Sequence, residues 1–217
     1  MEYGAILLKG FWETVYMTAL SALLAYALGL PIGVLLYTFG EKGLAPRPIL
    51  HGVLDKTVNI IRAVPFTILM LLLMPVSSFV TGSSIGPSSA VLSLVIGSAP
   101  LVGRMCESSF DELDKGVIET AVLSSATPFQ VVTKVLISES LPSLVRGFSV
   151  ISVTLLGYSA MAGALGAGGL GDIAVRYGMH RYNYPVMLAT VAVIVVLVQL
   201  IQKYLSLLAE KIDKRKI

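Results

Sequence analysis

Apolar residues along this chain fall into five long blocks, at about 12–39, 58–80, 85–106, 141–165 and 184–208, with shorter polar stretches between them. A helix needs about 20 apolar residues to cross a bilayer, so each block predicts one transmembrane helix. The first block is longer than a crossing requires. It predicts a helix that tilts, bends at Pro31, or projects beyond the membrane. Gly29 and Gly33 flank that proline and are small enough to let a neighbouring helix approach closely. Pro31, Pro65, Pro75 and Pro100 all fall inside blocks. Membrane helices tolerate such prolines because neighbours re-satisfy the freed carbonyls. They fit packing kinks and irregular helices around a solute pathway equally well.

The longest polar interruption, residues 107 to 146, is more than a connector. Val117, Ile118, Ala121, Val122 and Ala126 form an apolar stripe at helical spacing. Thr127-Pro128-Phe129-Gln130 has the form of a helix start. Thr127 can cap, Pro128 suits the first helical position, and Gln130 completes a capping box. Apolar residues then recur at Val131, Val132, Val135 and Leu136, with Gln130, Thr133, Lys134 and Ser138 on the other face, in a stretch expected to end at Pro142. The segment predicts two short helices meeting at an elbow tipped by Ser124, Ser125 and Ala126. A protruding helix with a small-residue tip suits a groove on a partner.

Only 13% of the 217 residues are charged and mean hydropathy is +0.84. Soluble domains carry about 25% charged residues, so this composition is that of an integral membrane protein. One cysteine, Cys106, excludes an internal disulfide and reads as apolar filler near a helix end. His51 and His180 stand alone, so no metal or cofactor is expected. No basic patch with interleaved aromatics points to nucleic acid. The N-terminus lacks the basic start and compact apolar core of a cleaved signal, so the first span is expected to remain.

Charge distribution sets the expected orientation. Lys42, Arg47, Lys56, Arg62, then Arg104, Lys115, Lys134, Arg146, then Lys203, Lys211, Lys214, Arg215 and Lys216 fall on one side, against Lys9, Arg176 and Arg181 on the other. The positive side is cytoplasmic. The N-terminus is therefore expected outside, the C-terminus inside, and the loop of about 107–140 in the cytoplasm. Trp12 and Tyr16 suit an outer aromatic belt.

Glu119-Thr-Ala121, the small Ser125, Ala126-Thr127-Pro128 and the helix through Lys134-Val135-Leu136 resemble the EAA loop of ABC-importer permeases. In that family a glycine stands where Ser125 stands, and a leucine-proline pair where Ile137-Ser138 stands. Trp12-Glu13-Thr14 with Met17-Thr18, Gly29-Leu-Pro-Ile-Gly33, Asn59-Ile-Ile-Arg62-Ala-Val-Pro65-Phe66, Ser84-Ile-Gly86 and Gly157-Tyr-Ser-Ala-Met161 through Gly171 resemble the permeases of methionine ABC importers over essentially the whole chain. The resemblance implies one permease domain over 1–217, all-α, with five spans and a cytoplasmic coupling loop between spans three and four. It implies a bacterial cell-membrane homodimer serving two ATPase subunits and an extracytoplasmic methionine-binding lipoprotein. Glu119, Ala121, Ser125, Ala126, Thr127 and Pro128 would meet the ATPase. Tyr158, Ser159 and Met161 fit helix packing by themselves, and the resemblance places them on a pathway or gate.

Gly166-Ala-Gly168-Gly-Leu-Gly171 matches a dinucleotide-binding spacing, but an apolar span precedes it where that motif needs a strand. The glycines fit a tight turn at the outer end of span four. No phosphate-binding G-x-x-x-x-G-K-[ST] occurs, so the chain is not expected to be an enzyme, and ATP must be hydrolysed elsewhere. A permease for another small solute remains open. A secondary transporter or channel does too, although such carriers usually hold acids within the membrane and here Glu13, Glu107, Asp111 and Glu119 fall at span ends or in the loop.

Overall fold

A computed structural model describes residues 2–213; among them every regular element is a helix. Lys214, Arg215 and Lys216 of the basic tail lie outside the described residues. Helices α1 (Glu2–Phe39), α4 (Pro87–Asp111), α6 (Pro128–Ala167) and α8 (Tyr184–Ile212) are each long and apolar enough to cross a membrane alone. The pair α2 (Pro48–Ala63) and α3 (Phe66–Thr81), taken as one broken span, gives the fifth. Helices α5 (Lys115–Leu123) and α7 (169–179) are the short ones.

The block expected as one span at 58–80, with Pro65 and Pro75 inside it, is divided by a 103° bend between α2 and α3. Pro65 is the cause. It lacks an N–H and forces the residue before it out of the helical region, and Val64 is extended at φ −77°, ψ 123°. With 16 residues, α3 is about 24 Å long, short of the ~30 Å hydrocarbon core.

The centre of the bundle is α1 against α4, running in the same direction, with Tyr16 beside Ser88 near one end and Gly33 on Cys106 near the other. The two glycines around Pro31 seat this contact. A β-carbon on Gly29 would lie 2.5 Å from Cβ of Val102, and one on Gly33 would lie 2.5 Å from Cβ of Cys106. Pro31 itself faces outward and α1 continues through it. Met17, Ala25, Leu94, Val102, Cys106 and Phe110 are buried around this seam. Helix α6 joins through Tyr26, whose hydroxyl donates to the Leu144 carbonyl at 3.1 Å and whose ring meets Phe148 edge-on.

The second helix of the polar loop is not separate from the fourth span. Both belong to α6, 40 residues and about 60 Å long. It passes through a wide i→i+5 turn at Val131–Leu136 and includes Pro142. The carbonyl that Pro142 leaves without its helical donor is that of exposed Ser138. The polar loop and the glycine run end up at opposite ends of the bundle. Gly166 lies near Ile85 and Gly168 near Glu13 at one end, while α5 and the start of α6 project from the other.

Candidate functional site

The elbow between α5 and α6 is closed by two local motifs in succession. Helix α5 starts on Asp114, whose carboxylate accepts from Gly116 N–H at 2.8 Å. It stops in a Schellman arrangement. The N–H of Ser125 bonds the Val122 carbonyl at 3.0 Å and that of Ala126 bonds the Ala121 carbonyl at 3.2 Å. Such a stop requires a left-handed residue at the position of Ser125, and Ser125 has φ +61°. The next residue, Thr127, opens α6 with the expected capping box. Its hydroxyl accepts from Gln130 N–H at 3.3 Å, and its own N–H donates to the Gln130 side chain at 2.9 Å.

The elbow therefore holds its shape without outside help. Glu119, Ser125, Thr127 and Pro128 are exposed on it, with Ala121 and Ala126 half-buried beneath. The anticipated apolar stripe of α6 does pack inward, with Val131 and Leu136 buried. That of α5 does so only in part: Ile118 is buried, but Val117 and Val122 face outward. Leu123 is 86% exposed and Phe129 75%, one on each side of the tip. Two large apolar side chains held out on a capped turn form a surface suited to covering by a partner.

Above the elbow, α2 is fastened to the end of α4 by a polar cluster. Arg104 donates to Glu107 at 2.7 Å, to Asp55, and to the side-chain oxygen of Asn59 at 3.2 Å. Asn59 in turn donates to Asp55 at 3.1 Å, and His51 stands 3.9 Å from Glu107. Helix α4 leads directly into the elbow, so this cluster ties the broken span to the same region.

At the opposite end, the glycine run makes the anticipated tight turn. Gly166, Gly168 and Gly169 have φ of +94°, +85° and +79°. The first N–H groups of α7 then point at α1, where Glu13 Oε2 accepts from Gly169 N–H at 2.7 Å and Thr14 Oγ1 from Leu170 N–H at 2.8 Å. One helix is capped by side chains of another, 156 residues away in sequence.

Between the two ends, Tyr158 lies flat on Phe66 of α3, ring centroids 4.6 Å apart and planes 1° from parallel. Met161, one turn further along α6, is 49% exposed on an outward face with Val150 and Gly157. Ser159 points the other way: it is buried and its hydroxyl donates to the Leu156 carbonyl at 2.8 Å. Of the three anticipated pathway residues, Tyr158 and Met161 are brought to accessible faces and Ser159 is not. A groove of about 480 Å³ opens between α1, α6 and α8, but its walls, including Ala19, Leu23, Leu200 and Tyr204, are largely apolar and include none of Tyr158, Ser159 and Met161. Among the described residues no group of His, Cys, Asp and Glu has the arrangement of a metal site.

Comparison with known proteins gives this architecture a family. Residues 10–217 match the family described as binding-protein-dependent transport system inner membrane component. A probable D-methionine transport system permease protein MetI of Vibrio cholerae is 43% identical over 210 residues, covering 97% of this chain and 93% of its own. Its namesake in Haemophilus influenzae is 40% identical over 205 residues, covering 94% and 96%. Among solved structures, a chain of the inward-facing MetNI methionine ABC transporter matches with a TM-score of 0.95 at 40% identity, over 96% of this chain and 97% of that one. A chain of an amino acid ABC transporter solved with histidines, 20% identical with a TM-score of 0.78 over 97% and 95%, shares the fold. By family match and by identity along nearly its whole length, this chain belongs to the inner-membrane components of binding-protein-dependent transport systems.

Proposed function

We propose that the chain is the membrane-spanning permease of an ATP-driven methionine importer. It works as a homodimer, with two copies of a cytoplasmic ATPase and an extracytoplasmic binding protein that delivers the solute. Its single domain covers 1–217. The observation that carries the coupling half of this reading is the elbow at Ser124–Thr127: a rigid, doubly capped projection that displays Leu123 and Phe129 and carries Glu119 on its exposed face. The substrate half is supported by the D-methionine permeases that this chain resembles along most of its length.

The orientation follows from charge. With the elbow and most Lys and Arg on one side, that side is cytoplasmic, the N-terminus is outside and the C-terminus inside. Hydrolysis of ATP belongs to the separate subunit. On the pathway, Tyr158 and Met161 supply accessible faces of α6, and Ser159 supports them by packing. Met161 from each copy would then narrow the opening at the dimer axis.

Reconstitution of the chain with its ATPase and binding protein tests this. Vesicles are expected to accumulate methionine only when ATP and the binding protein are both present. Glu119→Lys places a cation where an anion stood, so it should weaken ATPase co-purification and uptake while thermal stability of the permease holds. Met161→Ala should alter uptake with little change in stability, since a half-exposed side chain leaves no buried cavity. Full uptake without the ATPase, or ATPase co-purification unmoved by Glu119→Lys and by Leu123→Asp together, would count against the proposal.

A further inference from the structure

The only arginine at the bend between α2 and α3 is not a loop residue. Arg62 sits in the last turn of α2, two residues before Val64 and Pro65, and lines a cleft with Phe66, Gly97, Leu101 and Tyr158. Helix α4 spans Pro87–Asp111, so its midpoint falls at Ala99, and Gly97 and Leu101 bracket that point. The cleft is therefore halfway along a helix long enough to cross the membrane, so Arg62 lies deeper than the charge count, which grouped it with the cytoplasmic residues, had placed it. A guanidinium at that depth is costly unless a partner or a water-filled path receives it.

Arg104, a partly buried cation further along α4, has Asp55 and Glu107, whereas Arg62 is exposed on the surface of the single chain. Among the described residues no carboxylate pairs with Arg62. Nor does the hydroxyl of Tyr158, across the same cleft, have a hydrogen-bond partner among them. Two polar groups without protein partners thus converge on a site floored by the stacked rings of Phe66 and Tyr158. Convergent polar groups over an aromatic floor are the composition of a small-molecule site. The cleft holds only about 20 Å³, room for about one water, so a ligand larger than water needs the cleft to widen or its outer side to be completed by another surface.

We propose that Arg62 and the Tyr158 hydroxyl form a mid-membrane station that binds the carboxylate of the transported amino acid. The inference rests on the importer reading above and adds a residue-level recognition site to it. A guanidinium suits a carboxylate through two parallel N–H donors. Aromatic faces beside it suit a thioether, whose sulfur packs favourably against rings. The competing role for Arg62 is structural: a cation in the last turn of α2 favours the negative end of the helix. A lysine would serve that role, but would not reproduce the forked contact.

The test uses the whole reconstituted importer and measures methionine uptake, ATP hydrolysed per methionine moved, and thermal stability of the complex. Arg62→Gln should lower uptake roughly tenfold, the loss of one charged hydrogen-bonded contact. Hydrolysis stimulated by loaded binding protein should continue, so that ATP consumed per methionine rises. Arg62→Lys should retain stability yet lose uptake severalfold. Tyr158→Phe keeps the stack and removes only the hydroxyl, and should lose about twofold to fivefold. If Arg62→Gln does not assemble, Arg62→Lys and Tyr158→Phe carry the same comparison. Wild-type uptake and wild-type ATP per methionine in both Arg62→Lys and Tyr158→Phe overturn the station. A wild-type complex that moves no methionine overturns the importer reading and this one together, whereas normal wild-type uptake with normal variants removes the station alone.

Discussion

Two corners, one at each end of the bundle, solve the same backbone problem differently. Both corners need left-handed residues. At the glycine turn these are Gly166, Gly168 and Gly169; at the elbow it is Ser125. Crowding explains the difference. A β-carbon on Gly168 would lie 2.7 Å from Glu13 Oε2 and one on Gly169 2.7 Å from Thr14 Oγ1, while Ser125 is exposed. Capping differs in parallel. The elbow is capped by residues within its own few positions, the glycine turn by two side chains of α1. The glycine corner is a clamp between distant parts of the chain. The elbow is a self-contained shape offered to something else.

If the glycine corner is a clamp, Gly169→Ala should have the largest effect of any single methyl at a left-handed position in either turn. It combines a left-handed backbone, worth about 1–2 kcal/mol against an L-residue, with overpacking against Thr14 and Met17 worth about 1–3 kcal/mol. A loss of about 2–5 kcal/mol in detergent unfolding is expected. A loss under about 1 kcal/mol would mean that α1 and α7 separate easily. Glu13→Ala comes next. It removes the acceptor of the Gly169 N–H in a partly buried setting, at a cost of about 1–3 kcal/mol. Glu13→Gln keeps an acceptor and should recover part of that. Equal losses for the two variants would shift the role of Glu13 from the hydrogen bond to its charge, which also faces Lys9 at 3.7 Å.

The same contrast accounts for what could be read from the sequence. The capping box at Thr127, the elbow, and the small residues of α1 are local patterns in the sequence, and the structure carries them. The five apolar blocks correspond to four membrane-length helices and the bent pair α2–α3, which makes a fifth span when taken as one. What escaped was non-local. Nothing near Glu13 or Thr14 announces that they cap a helix 156 residues later. The Asp55–Arg104 pair spans 49 positions, between segments that read separately as a loop and a span. Pro65 was visible, but a proline inside an apolar block gives no angle. Whether it kinks a crossing gently or bends it by 103° depends on what α2 packs against, here the polar end of α4. Pro142 shows the opposite outcome, a proline expected to end a helix that instead runs on. The facing of Ser159 turned on helix rotation, which three neighbouring letters do not specify.

A milder probe addresses the elbow itself. Thr127→Ala removes the hydroxyl that receives the Gln130 N–H and leaves the rest of the turn in place. Loss of such a cap costs about 1 kcal/mol. The first turn of α6 should fray, giving faster amide exchange at 128–131 and weaker ATPase co-purification, with the glycine turn untouched. Exchange that quickens equally at 166–170 would show that the two corners are not independent.

Ser125→Gly is the smallest change and the most direct test of the comparison. In the folded state it relieves the left-handed strain that a side chain carries at φ +61°, about 1–2 kcal/mol. Against that, glycine gives the unfolded chain extra freedom worth about 0.5–1 kcal/mol. The net gain is about 0.5 kcal/mol, too little to move a global melt of this bundle by more than a degree or two. Local opening is the better measurement, because the elbow can fray without the bundle unfolding. The N–H groups of Ser125 and Ala126 close the Schellman stop, so their exchange should slow about twofold in the glycine variant. Uptake should be unchanged or higher. The opposite result has a definite meaning. If exchange slows as expected but uptake falls, the serine hydroxyl is part of what the ATPase contacts. If exchange quickens, the side chain at 125 stabilises the turn more than its strain costs, and exposure alone does not explain why a serine stands there.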